Sequence, residues 1–191
     1  MLSVLAGVSG EDGVAGLIDP GNAFDPASAA AFGVDLSRLL WVRSGRTARR
    51  VDQALKIADL LLQGGGFGLI VVDLSDLPSG DVRRVPASRW VRLRRAARNT
   101  PTIVLFLNRE STLKTAAALA LRMEVARIRW SARFLSEVRP GARVVRSRYD
   151  PSSSRQTCLF RLYPLALIEA GRPETEESSH EPDRYFQSPA G

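Results

Sequence analysis

The sequence predicts an α/β fold: a mostly parallel sheet flanked by helices, with antiparallel strands added at its C-terminal edge. Three observations carry this reading. Short apolar, β-branched runs alternate with stretches of helical periodicity as far as Leu107. The run 67–72 is followed at once by Asp73, as in a buried parallel strand with a carboxylate at its C-terminal edge. Beyond Asn108 the pattern changes to alternation of apolar and polar residues, the mark of half-exposed antiparallel strands.

Residues 2–8 read as the end of a helix. Val14 to Ile18 is a short strand ending at Asp19, and Pro20-Gly21-Asn22 turns the chain. Asp25-Pro26 starts a small-residue helix from Ala27 to Phe32, stopped by Gly33; proline in the first turn and glycine past the end fit the asymmetry of helix termini. Leu39 to Val42 is a further buried strand. Between Arg46 and Leu62, Val51, Leu55, Ala58 and Leu62 recur at helical spacing, and Gly64-Gly65-Gly66 ends that helix. The strand 67–73 follows. Leu74 to Ala87, with Pro78, Gly80 and Pro86, reads as a loop, Ser88 to Arg98 as a helix, and Thr102 to Leu107 as another buried strand. This order predicts a parallel sheet with helices on its faces.

In 118–130, Leu119, Leu121, Met123 and Val125 share one strand face, and then Ala126, Ile128 and Trp130 hold the apolar side. A bulge near Val125-Ala126 would return both sets to the core. Runs 142–149 and 156–163 give two more strands around the turn Asp150–Ser154, with Cys158 alternating with Phe160 and Leu162 as an apolar residue. Residues 1–169 are expected to form one core domain. Residues 170–191, rich in Pro, Glu and Ser, are expected to be a disordered tail, because they cannot bury enough apolar surface to offset their ordering entropy.

Composition narrows the function. One cysteine, Cys158, excludes an intrachain disulfide and a cysteine-rich zinc site, and the lone His180 excludes histidine-cluster chemistry. No apolar run approaches the roughly 20 residues of a membrane span, and Met1–Val8 is a poor secretory signal. The expectation is a cytoplasmic protein without membrane contact.

The net charge is +7, and lysine supplies only Lys56 and Lys114 of the positive side. Seven arginines fall within 83–98: Arg83, Arg84, Arg89, Arg92, Arg94, Arg95 and Arg98, with no acid among them. On a helix, Trp90, Leu93, Ala96 and Ala97 form one stripe and the arginines fan over the rest. Arginine grips phosphate bidentately and releases counterions as it does so. The plain alternative is a solvated helix face, against which stands the lack of interleaved acids for i,i+4 pairing. Nucleic-acid contact through this segment is therefore expected, or contact with a polymerase or filament surface. The chain contains no Gly-x-x-x-x-Gly-Lys-Ser/Thr phosphate loop.

The order of these pieces resembles the ATPase core of the RecA recombinase family. Leu17-Ile18-Asp19-Pro20-Gly21-Asn22-Ala23-Phe24-Asp25-Pro26 is similar to the strand and turn that carry the family's catalytic glutamate. Gly33-Val34-Asp35-Leu36-Ser37-Arg38-Leu39-Leu40 and Gln53-Ala54-Leu55-Lys56-Ile57-Ala58-Asp59 resemble the next strand and helix. Leu69-Ile70-Val71-Val72-Asp73-Leu74-Ser75 resembles the Walker B strand, and Phe106-Leu107-Asn108 the strand that senses γ-phosphate. The resemblance implies a RecA-like core, with Asp73 as a degenerate cofactor-binding residue.

Gly21 stands at the catalytic glutamate position and Arg109 at that of the glutamine coupling nucleotide to DNA. The expectation is a chain that is not an ATPase and holds no cofactor; ATP and magnesium enter only if a phosphate loop precedes Met1 in a longer protein. Arg109 joins the 83–98 arginines as a nucleic-acid-binding candidate. Arg146 and Arg148 resemble a lysine pair reaching the neighbouring subunit's nucleotide, so they are in-trans or interface candidates beside the plainer reading of exposed strand arginines. The arginine-rich segment resembles the ImuA type of mutagenesis accessory protein more than the SulA type, which binds protein without DNA. The implied partners are single-stranded DNA, a RecA filament or an error-prone polymerase, with self-association left open and roles in the SOS response and translesion synthesis.

Overall fold

The computed structural model describes residues 1–44, 49–109, 117–131, 134–149 and 157–159, with backbone alone for 125–131, 134–139 and 157–159. Two compact units divide the chain: Met1–Glu124 with Gly141–Cys158, and Val125–Pro140 with Leu159–Gly191. The first carries every side chain discussed below. No helix among the described residues is long and apolar enough to cross a membrane.

Four parallel strands form the central sheet in the order β2-β1-β3-β4: β1 (Ala15–Asp19), β2 (Leu39–Arg43), β3 (Leu69–Asp73) and β4 (Ile103–Leu107). Strand alternation sends successive side chains to opposite faces, and the two cores follow from it. Ile18, Ile70 and Val72 face a cluster completed by α3 (Arg50–Gly64) and α5 (Ala87–Arg98). Leu17, Leu69 and Val71 face a second cluster completed by α1 (Leu2–Gly10) and α2 (Pro26–Ala31). Helix, sheet and helix layers result, as the strand–helix alternation predicts.

Local chemistry sets the element ends. Asp25 caps α2, accepting from the Ser28 amide at 3.0 Å and from its hydroxyl. Those two bonds, the hydroxyl's first, hold the Asp25 carboxyl below the usual carboxylate range. Helix α3 presents Val51, Ala54, Leu55, Ala58 and Leu62 to the core. It stops where Gly65 and Gly66 take φ of 70° and 83°, a region open to glycine without a Cβ clash.

Five expectations change. The segment 74–87 is not wholly loop, because α4 (Ser79–Arg83) forms within it. The strand expected to be buried at 39–42 is an edge strand: β2 has no buried residue, and Leu40 is 43% exposed. The strand at 103–107 is not buried: β4 is an edge strand, its side chains half-exposed and Ile103 at 65% exposure. An unbroken apolar run reads as buried in sequence, but burial depends on neighbours the run does not encode.

The antiparallel strands form their own three-stranded sheet, β5-β6-β7, rather than extending the parallel one. In it β5 spans Leu119–Ser131, β6 spans Phe134–Ser147 through Pro140-Gly141, and β7 spans Thr157–Leu159. Glu124 and Arg143 join β5 to β6 by an ion pair. Finally, Leu119, Leu121 and Met123 do share a face, but an exposed one. The side chains around the expected bulge, the alternation of Cys158, Phe160 and Leu162, and the tail 170–191 lie outside the described residues.

One buried carboxylate organises the turn after β1. Asp19, 1% exposed, accepts from the amides of Ala23 at 3.1 Å and Phe24 at 3.0 Å, and from Trp41 Nε1 at 3.3 Å. It thereby ties the turn to β2, where Trp41 also meets Phe24 edge-on, ring centroids 5.3 Å apart. Asp19→Ala would strand three donors, each costing about 1–3 kcal/mol when buried and unpaired. Urea unfolding should show a loss of roughly 3 kcal/mol or more, and a smaller loss for Asp19→Asn, which keeps one acceptor. A drop under about 1 kcal/mol for the alanine variant would contradict this assignment.

Candidate nucleic-acid interface

Helix α5 is fixed by its apolar stripe. Trp90 and Leu93 are buried, and Trp90 meets Phe106 of β4 edge-on with centroids 5.4 Å apart. At about 100° per residue, Trp90, Leu93 and Ala97 point inward and Arg95 points away. The remaining arginines then fall on two flanks, Arg89 and Arg92 on one, Arg94 and Arg98 on the other.

The first flank faces α3. Arg92 Nη2 lies 2.7 Å from Asp59 Oδ2, across a shallow groove of about 330 Å³ that Leu60, Lys56 and Arg89 also line. The segment 83–98 contains no acid, yet α3 supplies one from 33 residues away. Arg84 is likewise paired, with Asp81 at 3.1 Å. Arg83 lies exposed on α4, ahead of α5. Among the described residues no carboxylate forms an ion pair with Arg89, Arg94, Arg95 or Arg98.

Ala142 and Val144 of β6 are buried, and strand alternation puts Arg146 on that same face; Arg148 follows just past the strand end, in a bend. Arg146 is half-buried and Arg148 is exposed. Desolvation first, then the positive fields of Arg94, Arg146 and Arg98, push the Arg148 guanidinium below its usual value. The Arg148 amide donates to Ala118 O at 2.9 Å, which fixes the strand end. Arg94 Nε is buried and makes no hydrogen bond, a donor whose desolvation is uncompensated at about 1–3 kcal/mol.

Arg109 belongs elsewhere. Its Nη2 lies 3.5 Å from Asp76 at the C-terminal edge of the sheet. Asp73 ends β3 there and accepts from the Ser75 amide at 2.9 Å and from the Ser75 hydroxyl, which uses its Oδ1 locally. A Cβ at Gly21 would stand 3.0 Å from Asp76 Cβ and 3.4 Å from its Oδ2. No group of three or more His, Cys, Asp or Glu among the described residues is arranged to hold a metal ion. Asp73 Oδ1 is thus engaged by Ser75, and Lys114, close in sequence to this edge, lies outside the described residues.

Sequence reasoning missed Asp19, Asp59 and Asp76. Asp19 closes a strand as Asp73 does, a signal that was present. Asp59 and Asp76 act across long sequence separations and leave no local trace.

With the geometry in place, comparison with known proteins is informative. The RecA N-terminal domain family matches residues 1–78. The chain is 43% identical over 72 residues to Protein RecA of Borrelia hermsii (strain HS1 / DAH), covering 38% of this chain and 19% of that protein. The same values hold for Protein RecA of Borreliella burgdorferi (strain ZS7). Protein RecA of Streptococcus pyogenes serotype M49 (strain NZ131) is 31% identical over 121 residues, covering 56% of this chain and 31% of that protein. The chain therefore spans less than a third of the length of these relatives.

The tight contact at the turn yields a test. Gly21→Glu should destabilise by about 1–3 kcal/mol, since the new side chain meets Asp76 and adds a like charge. Asp76→Gly in the same chain should recover at least half of that loss in a double-mutant cycle. Additive losses would show that Gly21 and Asp76 do not crowd each other.

Proposed function

We propose, for this member of the RecA-like superfamily, a role in recombination or DNA repair as an accessory protein that contacts single-stranded DNA through α5 and the segment before it. The observation that carries the reading is the arginine fan of α5: Arg89, Arg94, Arg95 and Arg98 stand without a paired carboxylate among the described residues, on a helix locked to the core by Trp90 and Leu93. Such a surface favours phosphate and supplies no base-specific readout, so its affinity is electrostatic and salt-dependent. A RecA filament or an error-prone polymerase of the damage response is the proposed setting, as for the ImuA type. The reading includes no ATP hydrolysis by this chain; Gly21 at the position of the catalytic glutamate and the engagement of Asp73 by Ser75 support that part.

A second reading, a protein-binding adaptor without DNA contact, draws on the exposed apolar stripe Leu119, Leu121 and Met123.

One titration separates the two. Fluorescence anisotropy with a labelled single-stranded oligonucleotide should show affinity falling linearly in log–log salt plots. Arg83→Glu, Arg95→Glu and Arg98→Glu together should weaken binding at least about tenfold at 100 mM salt. Absence of salt-sensitive binding by the unmodified chain would reject the DNA reading and favour the adaptor. ATP turnover above background with magnesium and DNA would reject the non-hydrolysing part.

A further inference from the structure

Between α3 and α5 lies a groove with an apolar lining and a cationic rim. Leu55 and Leu93, both buried, line it, and Leu60 stands 65% exposed at its α3 lip. Lys56, Leu60 and Gln63 recur at i, i+4 and i+7, so that lip runs about 10.5 Å along α3, or roughly two turns. Arg89 and Arg92 form the other lip, on α5. Asp59 is the one carboxylate in the lining among the described residues, and Arg92 Nη2 meets it at 2.7 Å. That pair neutralises itself. Lys56 and Arg89 are exposed and form no ion pair among the described residues.

We propose that this groove binds an acidic amphipathic helix of a partner protein. Apolar side chains of that helix cover Leu60 and reach toward Leu55 and Leu93, and its flanking carboxylates meet Lys56 and Arg89. The proposal goes beyond the DNA-binding reading and does not rest on it. It takes Arg89 into the groove and leaves Arg94, Arg95 and Arg98, which turn away from α3, to nucleic acid.

Three observations select this occupant. First, a single exposed leucine is ordinary, but Leu60 adjoins a groove lined by two more leucines. Second, the uncompensated charge at the two lips, Lys56 on α3 and Arg89 on α5, is of one sign, which carboxylates complement. Third, nucleic acid fits this place less well. No aromatic ring lines the groove for bases to stack on, and the Asp59 carboxylate repels phosphate. A groove two turns long with an apolar lining is the shape into which amphipathic helices dock, through anchors at i, i+3, i+4 and i+7.

The test uses the full chain and a fluorescein-labelled synthetic helix of about 14 residues, with leucine at those four anchor positions and glutamate or alanine elsewhere. Anisotropy at about 150 mM salt should show saturable binding, and no saturation by about 1 mM peptide would overturn the proposal. Leu60→Lys should weaken binding about tenfold although it adds positive charge, because it removes the apolar contact. Unchanged or tighter binding by that variant would reduce the attraction to charge alone and sink the site. Lys56→Gln with Arg89→Gln should weaken binding at least about threefold, and unmodified affinity counts against the site. A peptide with lysine in place of every glutamate should not bind; if it does, the acidic partner is wrong. Saturating oligo-dT should leave the peptide bound. Complete displacement would assign the groove to nucleic acid and overturn the proposal, whereas failure of the chain to bind oligo-dT rejects the DNA reading alone. Circular dichroism checks folding, and Leu60→Ser, with the same expected loss, replaces a Leu60→Lys chain that does not fold.

Discussion

The packing of Trp90 against Phe106 sets the geometry on which the arginine surface depends. A helix carrying five arginines in 12 residues has little reason to adopt one orientation on polarity alone. Its apolar stripe is narrow, and Trp90 supplies most of its bulk. Aromatic burial and an edge-on ring contact fix the rotation of α5 about its own axis. That rotation decides which arginine meets Asp59 on α3 and which turn away from α3. A rotation of one residue's step, about 100°, would redistribute every pairing described here.

The pairing is uneven, and the unevenness is informative. Arg84, Arg92 and Arg109 each find a carboxylate, from Asp81, Asp59 and Asp76. Pairs this exposed contribute about 0–1 kcal/mol, so they are weak arguments for stability. They matter because they remove those arginines from the field a ligand would meet. What remains is concentrated on α5 away from α3, where Arg94, Arg95 and Arg98 have no carboxylate partner among the described residues. A protein shaped for stability alone would interleave acids there, and on the α3 side it does.

Much of this was legible in sequence, for identifiable reasons. The two central strands, β1 and β3, announced themselves as short apolar runs, because burial on both faces demands apolar residues at nearly every position. Helix α3 was visible through its periodicity and its glycine stop. The edge character of β4 was not visible: Ile103-Val104-Leu105-Phe106-Leu107 has the composition of a central strand, and only the sheet order leaves it at the border. The separate sheet of β5, β6 and β7 was hidden for a similar reason. Alternation identifies strands without saying which strands they join. At the arginine surface, residue types and helical spacing gave the fan. The pairing of Arg92 with Asp59 spans 33 residues and belongs to tertiary structure.

Electrostatics also distinguishes the two places where an anion might be sought. Open α/β sheets ordinarily bind ligands at the carboxyl ends of their strands. Here that edge carries Asp19, Asp73 and Asp76, with Arg109 paired to the last of them. Asp19 is committed to the turn and Asp73 Oδ1 to Ser75. A triphosphate arriving without a divalent cation would meet carboxylates, and at a few ångströms like charges repel by about a kcal/mol or more even in water. Arg43, in register with Asp19 at the end of β2, and Arg109 leave that edge of mixed sign. The face of α5 away from α3 is of one sign: Arg94, Arg95 and Arg98 have no carboxylate partner among the described residues.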